Sequence, residues 1–280
     1  MRVKKTLLAV FAHPDDEAFG TGGTLARYAA GGTHVALVCA TRGEAGQIAD
    51  PGLATPETLG QVREAELRCA ARTLGVEKVI FLDYRDSGMA GTPENGERRA
   101  FVNVPAKEVV PRLVGIIRRL RPQVVVTFEP NGGYGHPDHM AIHRHTVAAF
   151  HAAADPARYP DRGTAWQPER LFYTAIPRSQ FLGMRDQLAA MGEDTREFDR
   201  FEEAGIGWPD DQIHVALDVT DTVEAKWTAL HCHRTQFGPD NLFRRLPADR
   251  MKQILSVEHF ALAWPEPEPG LQLGGLFDRL

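Results

Sequence analysis

The sequence predicts an α/β fold, a Rossmann-like and mainly parallel sheet with helices on both faces, followed by an elaborated C-terminal portion. Three observations predict it. Apolar runs and amphipathic segments alternate through about the first 180 residues. The runs are continuous, as in strands buried on both faces, instead of alternating with polar residues. Two His/Asp clusters follow two of these runs directly, and open parallel sheets bind ligands just outside the carboxyl ends of their strands. The 280 residues suit one large domain, 1–280, with its core over about 1–180 and the elaboration over about 181–280.

Strands are expected at 6–11, 34–40, 78–82, 124–128 and 171–176. Helices are expected at 21–30, 58–74, 106–120 and 139–153. The third helix has the clearest pattern, with Val109, Leu113, Ile116, Ile117 and Leu120 at helical spacing, and Arg118, Arg119, Arg121 and Pro122 marking its end. This basic group suits a capping role at a helix C-terminus better than a phosphate grip. Farther on, 191–212 carries Glu193, Asp194, Arg196, Glu197, Asp199, Arg200, Glu202 and Glu203, the composition of a solvated helix or lid. Ile213, Val215, Leu217 and Val219 alternate as in a half-buried strand. Asp221 and Glu224 fit a capping box opening a helix with Val223, Trp227 and Leu230 on one face. The tail from Trp264 to Gly270 has too much proline for a helix or a central strand.

Composition excludes several classes. A hydrophobic content of 43% and a charged content of 25% are ordinary for a soluble globular protein. A net charge of -5 is opposed to general nucleic-acid binding. No apolar stretch approaches the ~20 residues that span a bilayer, and the short apolar run near the N-terminus ends in His-Pro-Asp-Asp-Glu, unlike a secretory signal. Three scattered cysteines, Cys39, Cys69 and Cys232, imply no disulfide framework and a reducing cytoplasm.

The first cluster, VFAHPDDEAFG from Val10 to Gly20, is poor core material and good metal-binding material. His13 and Asp16, three residues apart, can reach one ion from a tight turn, leaving Asp15 between them to take a proton from a water. Zinc accepts mixed nitrogen and oxygen donors, and catalytic sites commonly use three protein ligands. His139, in the second cluster Tyr134-Gly-His136-Pro-Asp138-His139, is the best third ligand. Alternatively, HPDDE is only a capping turn, but two such clusters after two strands are hard to explain that way. His136 with Asp138 makes a pair suited to stabilising an oxyanion, or His136 is a loop histidine bonded to a backbone carbonyl. Tyr134, among glycines, can swing toward substrate or lie on the surface.

Other patterns carry less. His139 and His143 lack the glutamate of a zinc-protease helix, which leaves His143 to the packing or outer face of its helix. His231, Cys232 and His233 diverge if helical. Gly20-Thr-Gly22-Gly23 has Leu25 in place of the third glycine of a dinucleotide loop. Cys39 lies in an apolar strand, and no G-x-S-x-G elbow is present.

With AHPDDE at 12–17, Thr41-Arg-Gly-Glu-Ala-Gly46 and GYGHPDH at 133–139 in view, the chain resembles the PIG-L/LmbE-like family of zinc-dependent N-acetylglucosamine deacetylases. The likeness covers about the first 180 residues. It extends to Arg85-Asp-Ser-Gly-Met-Ala-Gly-Thr92 and the Pro130–133 loop, which look like the mycothiol-pathway enzyme, and to His233-Arg-Thr-Gln236. The resemblance implies His13, Asp16 and His139 as zinc ligands, one ion per chain, with ferrous iron also fitting the donors. It implies Asp15 as general base, His136 supported by Asp138 as oxyanion stabiliser, Tyr134 as a mobile assistant, and Arg63 and Asp86 as substrate-binding residues, the alternative being structural roles with Arg63 on a helix near Glu66 and Asp86 capping a turn. The implied substrate is a small N-acetylglucosaminyl molecule. Glu17-Ala-Phe-Gly20 looks closer to the bacillithiol-pathway enzymes acting on GlcNAc-malate, while RDSGMAGT and GGYGHPDH look closer to the GlcNAc-inositol type. Relatives that cleave thiol S-conjugates or other acetylated sugars leave further activities open, as does a metal-containing sugar-binding protein without catalysis. Neither a nucleic acid nor a membrane is an expected partner, and a homo-oligomer is compatible with the sequence.

Overall fold

The computed structural model describes residues 4–196, 198, 205–239, 241, 244 and 246–280. The N-terminal half alternates as expected: β1 (Thr6–Phe11), α1 (Asp16–Ala30), β2 (His34–Cys39), α2 (Leu59–Thr73), β3 (Lys78–Phe81), α3 (Ala106–Leu120) and β4 (Val124–Phe128). After a distorted turn, α4 (Gly132–Gly135), come α5 (Pro137–Ala154), β5 (Arg170–Ala175) and α6 (Arg178–Ala190). The remainder supplies β6 (Val215–Asp218), α7 (Val223–Cys232), α8 (Ala248–Leu255) and β7 (Val257–Trp264).

The sheet order is β3-β2-β1-β4-β5-β7-β6. β1 to β5 are parallel, and β7 and β6 extend the sheet as antiparallel additions. Because successive strand residues face opposite ways, β1 divides itself between two cores. Leu7, Ala9 and Phe11 join α1, α2 and α7 on one face; Leu8 and Val10 join α3 and α5 on the other. The chain turns outward in opposite directions from β1 and β4, so their adjacent carboxyl ends form the crevice of an open α/β sheet.

β7, α6 and α8 were not foreseen. β7 occupies an interior position, but its sequence Val-Glu-His-Phe-Ala-Leu-Ala-Trp is interrupted by Glu258 and His259. Glu258 is tolerated there because Lys226 Nζ lies 2.7 Å away and the amides of Gly23 and Thr24 donate to its two oxygens. The Gly20–23 segment lies inside α1. A side chain at Gly23 would meet Val219 at 2.5 Å, so its glycine serves close packing instead of a phosphate.

Three other expectations change. The Asp221–Glu224 capping box does not form: Thr222 is the N-cap of α7 and makes no side-chain cap bond, its hydroxyl donating to Gly23 O at 2.8 Å. Arg118 is a cap, but for its neighbour, donating to the carbonyls of Ala152, Ala153 and Asp155 at the end of α5 and to those of Arg158, Tyr159 and Gly163 beyond. Cys69 and Cys232 form a disulfide between α2 and the end of α7, with Cα atoms 5.8 Å apart; sequence spacing could not show that these helices pack together. Cys39 remains a buried thiol. Of the expected lid at 191–212, residues 197 and 199–204, which include Glu197, Asp199, Arg200, Glu202 and Glu203, lie outside the described residues. Among the described residues, no helix is long and apolar enough to cross a membrane.

The Lys226–Glu258 pair is almost fully buried, and removing one partner strands the other charge. Lys226→Met should cost about 3–5 kcal/mol, measured by urea denaturation. A loss below about 1 kcal/mol, the range of exposed pairs, would contradict this description.

Candidate metal centre and active site

Two loops build the site, one from each side of the crevice. Beyond β1, Asp15 has left-handed φ of 111° and α1 begins at Asp16. Asp16 Oδ2 accepts the amides of Ala12 (3.1 Å) and His13 (2.7 Å), tying its carboxylate to the loop. Beyond β4, the Glu129 carboxylate accepts the amides of Asn131 and Gly133, each at 2.6 Å. Gly132, Gly133 and Gly135 all have positive φ, and a Cβ at Gly132 would lie 2.6 Å from that of His139. The glycines therefore let the loop close over α5, whose first turn holds Asp138 and His139.

The three expected ligands converge. His13 Nδ1 is 3.1 Å from His139 Nε2 and 3.7 Å from Asp16 Oδ2, and Asp16 Oδ1 is 3.3 Å from His139 Nε2. Three donors at zinc-bond length in tetrahedral array stand roughly 3.3 Å apart. Their far atoms matter as much. His139 Nδ1 faces Gly132 O at 3.0 Å, and His13 Nε2 faces Asp138 Oδ2 at 3.2 Å. Each partner is an acceptor, so each of these outer nitrogens carries a proton. Against the cost of burial, the Asp86, Asp138 and Asp16 carboxylates also hold His13 well above the usual imidazole range, so an ion would enter by displacing the proton between the two rings. Two imidazole nitrogens and a carboxylate would then face it in a nearly solvent-free space. The arrangement fits a divalent cation. Two other groups among the described residues could hold a metal, His13/His136/His139 and His13/Asp86/Asp138. The latter uses the outward nitrogen of His13 and competes with the hydrogen bond that orients this ring.

Asp138 differs from expectation in what it supports. Its carboxylate accepts from Ser87 N (3.0 Å) and Ser87 Oγ and faces His13, while only its backbone amide reaches His136, donating to Nδ1 at 3.2 Å. The first turn of α5 points the side chain inward, away from the N-cap. Burial, with the His13 and His139 charges beside it, pushes His136 down to about 3. It is thus a neutral ring with Nδ1 accepting and Nε2–H available as a donor. Burial, with the Asp16 charge, pushes Asp15 up to about 6 against the opposing pull of Arg63.

Arg63 is 3% exposed. Its Nη1 donates to Gly43 O (2.8 Å) and its Nη2 to Pro14 O (2.6 Å), with Nη2 also 3.4 Å from Asp15 Oδ2; Nε has no hydrogen-bond partner. Asp86 accepts the amides of Ala45 and Gly88 and lies 3.4 Å from His13 Nε2. Tyr134 is 46% exposed, its ring 5.1 Å from that of His139. A cavity of about 520 Å³ opens onto Asp15, Asp16, His139 and Tyr134, with Phe19 and Trp208 also on its wall. His143 is a packing residue bonded to Phe128 O. His231, Cys232 and His233 do diverge, to Trp227 O, Cys69 and Glu17 respectively.

Sequence reasoning missed Ser87, Glu129, Glu17 and His233. The signals were present in RDSG, in the acidic residue before the glycine loop, in the last position of HPDDE and in HRTQ, but each needs a tertiary partner to acquire meaning.

Residues 8–150 match the family described as PIG-L: GlcNAc-PI de-N-acetylase. The chain is 40% identical to the 1D-myo-inositol 2-acetamido-2-deoxy-alpha-D-glucopyranoside deacetylase of Geodermatophilus obscurus, over 94% of this chain and 93% of that protein. It is 43% identical to the protein of the same name from Rhodococcus erythropolis, over 92% and 91%. Among solved structures, N,N'-diacetylchitobiose deacetylase from Pyrococcus horikoshii aligns with a TM-score of 0.66 over 95% of this chain and 84% of that one. At 23% identity, that likeness is one of fold.

Asp138→Asn removes the carboxylate behind His13 and should weaken metal affinity about 10–100-fold, measured by competition with a chromogenic chelator. His136→Ala should leave affinity nearly unchanged; a comparable loss there would make His136 a ligand.

Proposed function

The chain belongs to the PIG-L family, and from that premise we propose that it is a metal-dependent hydrolase that removes the acetyl group from an N-acetylglucosaminyl substrate. The observation that carries this reading is the convergence of two imidazoles and a carboxylate beside a separate carboxylate, Asp15, on the wall of a cavity. His13, Asp16 and His139 would hold the ion. Zinc suits two imidazoles and a carboxylate, ferrous iron being the other fit, and when bound it supplies Lewis acidity toward a water and an amide carbonyl.

Asp15 takes the proton of the attacking water. The neutral His136 ring donates from Nε2 to the carbonyl oxygen as negative charge develops there. When the carbon–nitrogen bond breaks, Asp15 or His136 gives a proton to the departing glucosaminyl amine, and acetate leaves. Tyr134, at the rim, closes toward the acetamide. Asp86 and Arg63, the substrate-binding residues that the resemblance implies, are buried and off the cavity wall, where they orient His13 and the Asp15 turn.

We favour a GlcNAc-inositol substrate, the substrate class named for both of these relatives, which would place the enzyme in mycothiol-type thiol biosynthesis in the cytoplasm; the Cys69–Cys232 disulfide removes the cysteine argument for a reducing compartment, so the relatives alone support that placement. Residues 1–280 are read as one domain, since β6 and β7 complete the same sheet.

Amine release from GlcNAc-inositol and GlcNAc-malate, with zinc-loaded and chelated protein in parallel, tests the reading. Metal-dependent turnover of the inositol compound is expected. Preferential turnover of GlcNAc-malate would overturn the substrate choice. Turnover of neither by metal-loaded protein would favour another amide or a binding role. Asp15→Asn should abolish turnover with the metal retained. His136→Ala should lower kcat about 10²–10³-fold, measured on the preferred substrate.

A further inference from the structure

Glu17 and His233 take no part in the steps above, yet both are buried next to the turn that carries Asp15. Glu17 is 1% exposed and His233 is 0% exposed. Glu17 Oε1 lies 2.7 Å from His233 Nε2, and Glu17 Oε2 accepts the backbone amide of Asp15 at 3.0 Å. One carboxylate thus joins the Asp15 backbone to a histidine 216 residues farther along the chain.

The conformation of Asp15 is the reason this link matters. A non-glycine residue with φ of 111° is uncommon and persists only where its surroundings over-determine it. Three bonds do so here. Glu17 takes the Asp15 amide, the Asp15 carbonyl accepts from Ala18 N at 2.9 Å, and Arg63 Nη2 holds the preceding Pro14 carbonyl at 2.6 Å. The Glu17 carboxylate stays in place because His233 occupies its other oxygen. His233 is anchored in turn. Its amide donates to Leu230 O at 3.1 Å, and Thr235, two residues on, donates from N and Oγ1 to the Glu66 carboxylate of α2 at 2.9 and 2.6 Å. The C-terminal half therefore reaches into the turn that carries the base, from outside the family-matched segment 8–150.

We propose that Glu17 and His233 are a positioning pair that holds Asp15 in its left-handed conformation and so aims its carboxylate at the attacking water. The inference rests on the reading of Asp15 as the base. Without the imidazole, the buried Glu17 carboxylate loses one of its two fixed partners and turns, the Asp15 amide loses its acceptor, and the turn relaxes. The metal triangle is spared because Asp16 is tied independently to the Ala12 and His13 amides. The lost function is aim.

The test compares His233→Leu, which cannot donate, with His233→Gln, which keeps an N–H donor. Kinetics on the preferred substrate, metal stoichiometry and a crystal structure are measured for each. His233→Leu should lower kcat about 10–100-fold, as a displaced catalytic group does, with KM within about twofold and one metal per chain retained. Its structure should show Asp15 out of the left-handed region. His233→Gln should recover most of kcat and the Asp15 conformation. A folded, metal-loaded His233→Leu with unchanged kcat and Asp15 unmoved would overturn the proposal, as would a loss expressed only in KM or metal content. Should His233→Leu not fold, Glu17→Leu against Glu17→Gln is read in the same way. Absence of turnover in the wild type would contradict the activity instead, while the Asp15 conformation in the variants would still decide the positioning role.

Discussion

The convergence of two imidazoles and one carboxylate governs this structure. His13 Nδ1 and His139 Nε2 lie 3.1 Å apart and face the two oxygens of Asp16 at 3.7 and 3.3 Å, and the outer nitrogens of both imidazoles are bound to acceptors. Protons on the imidazoles pair with the surrounding carboxylates here, and a divalent cation would take the place of the proton between the rings. Much of the surrounding structure maintains this convergence. Ser87 fixes Asp138, Asp138 fixes the His13 ring, Gly132 O fixes the His139 ring, and Glu129 fixes the loop that contains Gly132.

The sheet brings these groups together at little cost in irregular backbone. β1 and β4 are neighbours, although a long stretch of chain separates them. Their carboxyl ends deliver the two loops to opposite sides of one crevice, and α1 and α5 begin inside it. The C-terminal half does more than cover this core. β7 inserts beside β5, Glu258 on β7 binds the amides of α1, and the segment after α7 touches the turn at Asp15. The second half of the chain thus supports the helix and turn on which the first half builds its chemistry.

The parallel core was legible because buried strands announce themselves as apolar runs, and β1 and β4 begin and end where the sequence suggests. The convergence of His13, Asp16 and His139 was equally accessible, since short loops after adjacent strands have few places to go. β7 was hidden because it spends a buried position on Glu258, whose partner Lys226 lies on another element. The support given by Asp138 was misread because adjacency to His136 in sequence suggested a pair, whereas the first turn of α5 directs the carboxylate to Ser87 and His13. Arg118 was read rightly as a cap, but the helix it caps is α5 instead of its own. Glu17 and His233 illustrate the general limit: a buried polar residue acquires meaning from a partner that sequence distance conceals.

Zinc-edge X-ray absorption of zinc-loaded protein tests the central claim most directly. The account predicts a first shell of two imidazoles and one carboxylate, with bonds of about 2.0–2.2 Å. In Asp16→Ala the carboxylate contribution should disappear. A shell of three imidazoles, unchanged by Asp16→Ala, would contradict the account and make His136 a ligand instead of a hydrogen-bond donor.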